Sequence, residues 1–437
     1  MEIHKQIKSF YKNTNLNNID TGLSSLCYFS SVSSTLGYHK MLLWKKGKSH
    51  LLKYLFMHLK YFFSISSKSN YILENNHFNE KYKNIIVTWA YKKHFLKNGS
   101  LQDRYFNLNS RKKSDVFWIV FYLDDESPEK IDKNIVLFKK RKNFFNYKFI
   151  YLFKIIFTNI YKSKFNLKRI HHNLSSSSNI ALIFNDLIEK NFNLKFIKSL
   201  ALSYEGQPFQ QYLFSYLKKE YPFMKTIGYL SYAYPMQLNI FYRNGAPDEL
   251  LTHSPDQKIY IVKNLGWPKN RVKLISSLRY KNIKDKELLI NKIFFPYYID
   301  SIKKISENFE YLVKSAKPKS LPIFHIKQHP APYSKSQQLK LERNIKKIMN
   351  QNKEKFKKNI DNRAIIIGLT TSVLVALEKG IEVIHIVSDH FFESFDNKYW
   401  PNIKVKRFFP NVLSYKLKKY NRCIKFGNNK ETLLKFI

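Results

Sequence analysis

The chain has 437 residues, 44% of them hydrophobic and 25% charged, ordinary values for a globular protein with room for two cored domains. Its formal charge is +44, from 76 Lys and Arg against 32 Asp and Glu, but the lysines are spread along the chain rather than gathered in one arm, so nucleic acid is not the expected partner. Two cysteines, Cys27 and Cys423, lie too far apart in sequence to suggest a disulfide framework or a cysteine-based metal site, and no apolar run reaches the ~18 residues of a spanning helix. The N-terminus, MEIHKQIKSFYKN, has no apolar signal core. The expectation is a protein of the reducing cytoplasm whose positive surface favours anionic ligands and the anionic inner face of a membrane, where it would sit peripherally.

Residues 1–80 carry the weakest pattern and are expected to form a helical extension. Within them, segment 51–65 (LLKYLFMHLKYFFSI) is apolar but interrupted by Lys53, His58 and Lys60; it reads either as an interfacial helix on anionic lipid or as an ordinary half-buried helix. From residue 84 the pattern is α/β. Buried strands are expected at 84–91, 116–123 and 134–138, followed by a largely helical stretch over 144–196. Segment 198–204 (KSLALSY) is a strand that stops at Glu205-Gly206, 207–220 a helix and 226–229 a short strand. KIYIV (258–262) and RVKLI (271–275) are further units, separated by a helical or turn segment around Gly266-Trp267-Pro268.

A second series starts near residue 286. It comprises a strand in LLINKIFFPYY, an amphipathic helix over 299–315 with Ile302, Ile305, Phe309, Leu312 and Val313 on one side, and a strand at 322–328. A helix at 339–349, a strand at 364–368, a helix at 372–379 and a strand at 382–387 follow. Strand–helix alternation argues parallel sheets wrapped by helices. The expected division is an N-terminal domain over 81–285 and a C-terminal domain over 286–437, with a terminal helix in 426–437 that crosses back to the first domain.

Three short segments carry chemistry. In Tyr204-Glu205-Gly206-Gln207, a carboxylate ends a buried strand and can act as a general base on a hydroxyl; the alternative is a solvated turn. In Lys327-Gln328-His329-Pro330, the proline ends a strand and holds His329 at its carboxyl end, where open α/β sheets bind ligands. In Gly368-Leu369-Thr370-Thr371-Ser372, three hydroxyls precede a helix; they form either a phosphate cradle or a plain helix cap by Thr371 or Ser372. No P-loop and no G-x-G-x-x-G occurs, which argues against an ATPase or a dinucleotide enzyme. His171-His172 and Asp124-Asp125 lack partners at metal-ligand spacing, so no metal is expected.

In this order, the acid–Gly turn, the K-x-H-P segment and the Thr/Ser pair resemble the acidic-Gly, His-Pro and Ser/Thr motifs of bacterial sialyltransferases and polysialyltransferases. The C-terminal half is similar to the Kdo transferases of capsule synthesis and to the CDP-glycerol polymerases. The strings NIIVTWAY, KNGSLQDRYFN, YEGQPFQ, IGYLSYAYP and LGWPKNRVKLISSLRY look like a family of bacterial surface-carbohydrate biosynthesis proteins that cluster with capsule and lipopolysaccharide genes.

The resemblance implies a GT-B-like α/β fold, with two Rossmann-like domains whose parallel sheets face each other across a cleft. It also implies an inverting, metal-independent glycosyltransferase. The donor would be a nucleotide-sugar, with CMP-sugars as the family's type, and the acceptor a glycan or lipid-linked glycan; no cofactor is needed. Carried over, the general base is Glu205, and His329 contacts the leaving phosphate. Lys327, Pro330, Thr370, Thr371 and Ser372 bind nucleotide or phosphate, while Gly206, Gln207, Ser231 and Arg279 line the cleft. The chain departs from the pattern at Val375, where many GT-B enzymes place a ribose-binding Glu, at Glu382 for a Pro, at Ser231 for a His and at Tyr204 for a second acid. Two other readings are a noncatalytic carbohydrate-binding or assembly protein with the same fold, and a sugar-nucleotide epimerase.

Overall fold

The computed structural model describes residues 71–140, 176–235, 240–242, 244–280, 289–299, 301–330, 332–358, 362–388, 393–418, 422–426 and 433–437. Segment 51–65 and His171-His172 lie outside the described residues, as does most of the stretch 144–196. The first sheet has eight strands: β1 (Tyr71–Glu74), β2 (Asn84–Ala90), β3 (Val116–Tyr122), β4 (Ile135–Lys140), β5 (Ser199–Ser203), β6 (Lys225–Tyr229), β7 (Glu249–Thr252) and β8 (Val272–Leu274). Their spatial order is β1-β4-β3-β2-β5-β6-β7-β8, parallel throughout except for the edge strand β1. The chain winds outward from β2 to β4, then returns to β5 on the other side of β2. The order therefore reverses between β2 and β5, and this is where an open α/β sheet leaves a crevice at its carboxyl edge.

Strand residues alternate between two apolar clusters, because successive side chains point to opposite faces. Ile85, Val87, Phe117, Ile119 and Phe121 face one cluster; Ile86, Val116, Trp118 and Val120 face the other. The first cluster is closed by helices α1 (Ser176–Asn191), α2 (Pro208–Glu220) and α3 (Pro255–Asn264), through Phe184, Ile188, Leu213, Phe214, Leu217 and Ile261. Phe121, Phe138, Phe184 and Phe209 meet there with ring centroids 4.6–5.6 Å apart, and burial of each ring is worth about 2–3 kcal/mol. The second cluster is covered by Leu101, Phe106, Ile275, Leu278 and the end of the chain, Leu433.

KIYIV (258–262) is helical, lying inside α3. Ser254 caps that helix by accepting from the Gln257 amide at 3.2 Å, and Pro255 occupies its first turn. The strand β7 just before it had no separate sequence expectation. Strand β1, Tyr71–Glu74, comes from within the stretch 1–80 and pairs with β4.

The second sheet has six strands: β9 (Lys292–Phe294), β10 (His325–Lys327), β11 (Arg363–Ile367), β12 (Glu382–Ile386), β13 (Ile403–Phe409) and β14 (Val412–Leu417). Their order is β10-β9-β11-β12-β14-β13; the first four are parallel, and the last two form an antiparallel hairpin on the β12 edge. Helices α4 (Ile302–Ser315) and α5 (Lys335–Gln351) cover one face. α4 buries Ile305, Phe309, Leu312 and Val313, with Ile302 packed at the margin. α6 (Ser372–Glu378) covers the other face with Val373 to Leu377. Here the order reverses between β9 and β11, a second crevice at a carboxyl edge.

The two sheets are joined by polar contacts between their flanks. Asp256, fully buried at the start of α3, accepts from the Asn402 amide at 3.1 Å and from its side chain at 2.7 Å. The Trp400 indole donates to the Pro235 carbonyl at 3.1 Å, and the Lys425 amide to the His253 carbonyl at 2.7 Å. The terminal residues do return to the first sheet: Leu433 is buried in its second cluster. Of the expected terminal helix, residues 427–432 lie outside the described residues, and Leu433–Lys435 is a 3₁₀ turn.

Burial pushes the Asp256 carboxyl up to about 6, opposed by the Asn402 amide. Asp256→Ala is expected to cost about 1–3 kcal/mol, because two donors then lose a buried acceptor. The loss should be read as a lower thermal midpoint together with faster hydrogen exchange at the Asn402 amide. An unchanged exchange rate there would show that the contact does not hold the two sheets together.

Candidate active site

Glu205 lies just beyond the end of β5, at the crevice of the first sheet. Gly206 has φ +66°, a left-handed conformation that a side chain would strain, and it turns the chain sharply into α2. Glutamines staple this turn. Gln210 Oε1 accepts from the Glu205 amide at 2.8 Å and the Gln207 amide at 3.1 Å, while its amino group donates to the Ser203 carbonyl at 2.8 Å. Gln207 donates to the Glu205 carboxylate at 2.7 Å. The carboxyl is half-buried. Desolvation raises its pKa, and the Gln207 hydrogen bond and the Arg279 and Arg104 guanidiniums pull against that rise. A carboxylate shifted upward in this way is a stronger base than one in water.

Arg104 reaches the site from an Asx turn. The buried Asp103 accepts from the Thr88 hydroxyl of β2 at 2.6 Å and from the amides of Tyr105 and Phe106 at 3.0 and 2.7 Å. Burial still holds the Asp103 carboxyl up at about 6. This turn fixes Arg104, whose guanidinium donates to the Tyr105 hydroxyl at 3.0 Å and lies 5.0 Å from the Tyr105 ring and 5.9 Å from the Tyr91 ring. Tyr91 directly follows β2, on the opposite side of the crevice from Glu205.

In the second sheet, His329 follows β10 and is half-buried. Its amide donates to Gln338 Oε1 at 3.1 Å, and Gln338 in turn donates to the Pro296 carbonyl at 2.6 Å. One buried glutamine of α5 thus ties the loop after β10 to the loop after β9. The imidazole lies edge-on to Tyr297, with centroids 5.6 Å apart. Lys327 and Pro330 are exposed on the same edge.

The turn after β11 is set by Gly368, at φ +65°; a Cβ there would come within 3.1 Å of the Pro296 ring. His385, buried in β12, bonds the Gly368 carbonyl at 2.7 Å. The capping bond comes from Thr370, whose hydroxyl accepts from the Ser372 amide at 3.2 Å and donates to the Ser372 hydroxyl at 3.1 Å. Thr371 is buried and makes no side-chain cap bond. The helix that follows has seven residues, so hydroxyls rather than a long helix dipole characterise this turn.

The structure brings His329, Pro296-Tyr297 and the turn at 368–372 to one carboxyl edge, at and beside the second crevice. The Tyr297 phenol is raised by burial and then by the phenols of Tyr91 and Tyr333.

Ser231 does not line the cleft as expected. It is fully buried two residues beyond β6, and its hydroxyl accepts from Ser203 at 3.2 Å. Gly206 is buried as well, whereas Gln207 and Arg279 are accessible. Val375 packs in the apolar cluster under the second sheet, and Glu378 accepts from the amides of Cys423 and Ile424, so it anchors the chain end. Asp124 accepts from the Lys92 amide at 2.5 Å and fixes the turn after β2. Among the described residues, no group of three or more His, Cys, Asp or Glu is arranged to hold a metal ion.

Arg104, Tyr105, Tyr91, Tyr234 and Tyr297 had no place in the sequence reading. The D-R-Y-F order of the Asx turn was the one local signal for the first two.

Two parallel-sheet units, each with its crevice at the carboxyl edge, make this a GT-B-like α/β protein. Among solved structures, it is similar to a glycosyltransferase from Rickettsia africae ESF-5, with a TM-score of 0.33 and 13% identity over 70% of this chain and 79% of that one. It is also similar to the UDP-GlcNAc 2-epimerase from Neisseria meningitidis bound to UDP-GlcNAc, with a TM-score of 0.36 and 10% identity over 73% of this chain and 85% of that one. No protein-family model matches the chain, and no curated protein matches it in sequence. Among the described residues, no helix is long and apolar enough to cross a membrane.

Proposed function

We propose that the chain is an inverting glycosyltransferase that moves a sugar from a nucleotide donor, of the CMP-sugar type, to a glycan of a bacterial surface polysaccharide. The observation that carries this reading is the placement of Glu205 at the carboxyl edge of the first sheet, beside its crevice, and of His329 with the 368–372 turn at the carboxyl edge of the second. Glu205 takes the proton from the acceptor hydroxyl as that oxygen attacks the anomeric carbon. The bond to the donor phosphate breaks, and its electrons leave on a phosphate oxygen. His329, Lys327 and the hydroxyls of Thr370 and Ser372 supply donors to that growing charge. Preorganised donors aimed at developing charge are each worth about 3 kcal/mol in the transition state.

The test is a panel of cytidine and uridine nucleotides and their sugars, scored by thermal shift and then by donor consumption with and without added glycan. Stabilisation by a cytidine nucleotide, with consumption that rises when glycan is added, supports the reading. Binding without turnover would instead favour a carbohydrate-binding protein of the same fold, and acceptor-independent conversion of a uridine nucleotide-sugar would favour an epimerase.

A further inference from the structure

Among the described residues, the chain crosses between its two sheets twice: once after β8, and once where its end returns to Leu433. The two crossings meet at one place. The Ser277 amide, on the outgoing linker, donates to the Lys425 carbonyl at 2.7 Å; the Lys425 amide, on the returning segment, donates to the His253 carbonyl at 2.7 Å. His253 directly follows β7. The Leu278 amide seats the linker on the first sheet by donating to the Tyr229 hydroxyl at 3.0 Å. The His253 ring lies inside this crossing, between two aromatic neighbours. Its centroid is 6.2 Å from that of Tyr229, in the second apolar cluster of the first sheet, and 5.8 Å from that of Tyr280, which packs against an apolar cluster of the second sheet.

His253 is fully buried, and among the described residues neither of its ring nitrogens makes a hydrogen bond. His385, equally buried, uses both, on the Gly368 carbonyl at 2.7 Å and the Tyr415 hydroxyl at 3.3 Å. Burial, and then the Arg279 charge, push the His253 pKa down to about 3. The ring is therefore neutral, with one N–H to donate and one nitrogen to accept. Burying both unpaired is unfavourable, and a leucine of similar volume would avoid that cost. The Leu230 carbonyl is near enough to act on the ring, but it is not in bonding geometry. We propose that His253 is the pivot of a hinge: it is unpaired as the sheets stand here, and it gains a hydrogen bond when the second sheet turns about the crossing. In that turn Tyr280 moves with the second sheet, and the imidazole swings onto the Leu230 carbonyl. His329 and the 368–372 turn then move as one body relative to Glu205, since both connections pass the pivot. His253 touches no reacting group; it is a positioning residue.

The experiment measures the separation of the two sheets in the full chain by electron–electron spin resonance. One spin label sits on α1 (Lys190→Cys) and one on α5 (Lys340→Cys), both exposed positions, in a Cys27→Ser background. Without ligand, the otherwise wild-type chain is expected to show two distances. His253→Leu should shift their ratio about tenfold towards one of them, the scale of one buried unsatisfied polar atom, with an equal or higher thermal midpoint. His253→Asn, which keeps a donor and an acceptor, should restore part of the ratio, an effect that packing alone would not give. A single distance, or two distances whose ratio ignores His253→Leu, overturns the proposal. So does a lower thermal midpoint in the leucine variant, because the imidazole is then already satisfied in place. Added CMP should raise the population that the leucine variant loses. The ligand-free result does not depend on the transferase reading: a ratio that follows His253→Leu but ignores CMP leaves the hinge standing while that reading loses its nucleotide.

Discussion

Glu205→Gln is expected to slow sugar transfer by roughly 100- to 10,000-fold, the range lost with a positioned general base. Nucleotide binding should stay close to wild type, because Glu205 sits at the first sheet's crevice and the proposed donor contacts sit at the second. The glutamine keeps the size of the side chain, and the backbone bonds of the turn come from Gln210 rather than from the carboxylate, so the fold should be retained. The pH profile carries a second readout. A base works only when deprotonated, and burial raises the Glu205 pKa, so the acidic limb of kcat/KM should lie above the ordinary carboxylate range. Arg104 stabilises the ionised form, and removing its charge should move that limb to still higher pH. A Gln variant that transfers at the wild-type rate, or an acidic limb that ignores Arg104→Gln, would remove Glu205 from the reaction.

His329→Ala is expected to cost about 100-fold or more in turnover, the scale of one preorganised donor to a leaving oxygen. The loop should survive the change. Its backbone is held by the Gln338 bridge to the Pro296 carbonyl, and the imidazole's ring neighbour is the exposed Tyr297. The loss should fall mainly on kcat, since the histidine's proposed partner is charge that develops during bond breaking. An alanine variant with wild-type turnover and an intact thermal midpoint would show that the leaving phosphate is met elsewhere on this edge.

The two effects differ in what they spare. The Glu205 variant should still hold nucleotide and still respond to acceptor binding. The His329 variant should retain the pH limb set by Glu205 at a lower rate throughout. Equal, featureless losses in both would point to a shared structural defect rather than to separate roles across the cleft.

Local pattern was enough to read most of the sheet interior. The runs at 84–90, 116–122 and 363–367 are apolar on both faces, as a parallel strand covered on both sides must be. The α4 stripe was legible because its apolar residues recur at helical spacing. KIYIV, a short apolar run whose type the sequence left open, is helical: Ser254 and Pro255 start a helix just upstream, and its Tyr260 and Ile261 are buried in the apolar cluster. The edge hairpin β13–β14 escaped notice because β13 exposes much of its length and carries three basic residues, Lys404, Lys406 and Arg407, so it lacks an apolar run.

Glu205, His329 and the 368–372 turn were visible in the sequence because each follows a strand and breaks its pattern with Gly or Pro. Their placement at sheet crevices was not, because strand order reverses through pairing between residues more than a hundred positions apart, as in β2 with β5. Arg104 and Tyr91 could not be singled out among so many basic and aromatic residues; the buried Asp103 turn and the position of β2 put them at the carboxyl edge of the first sheet. Ser231 shows the converse. Its place in the motif string suggested the cleft, but the segment after β6 is buried on both sides and packs it against Ser203. Sequence by itself determined most of the central strands of both sheets and the breaks that follow three of them, at Glu205-Gly206, His329-Pro330 and Gly368. Tertiary structure alone decided which of those ends share a crevice, because that depends on non-local pairing and on which side of the sheet each side chain emerges.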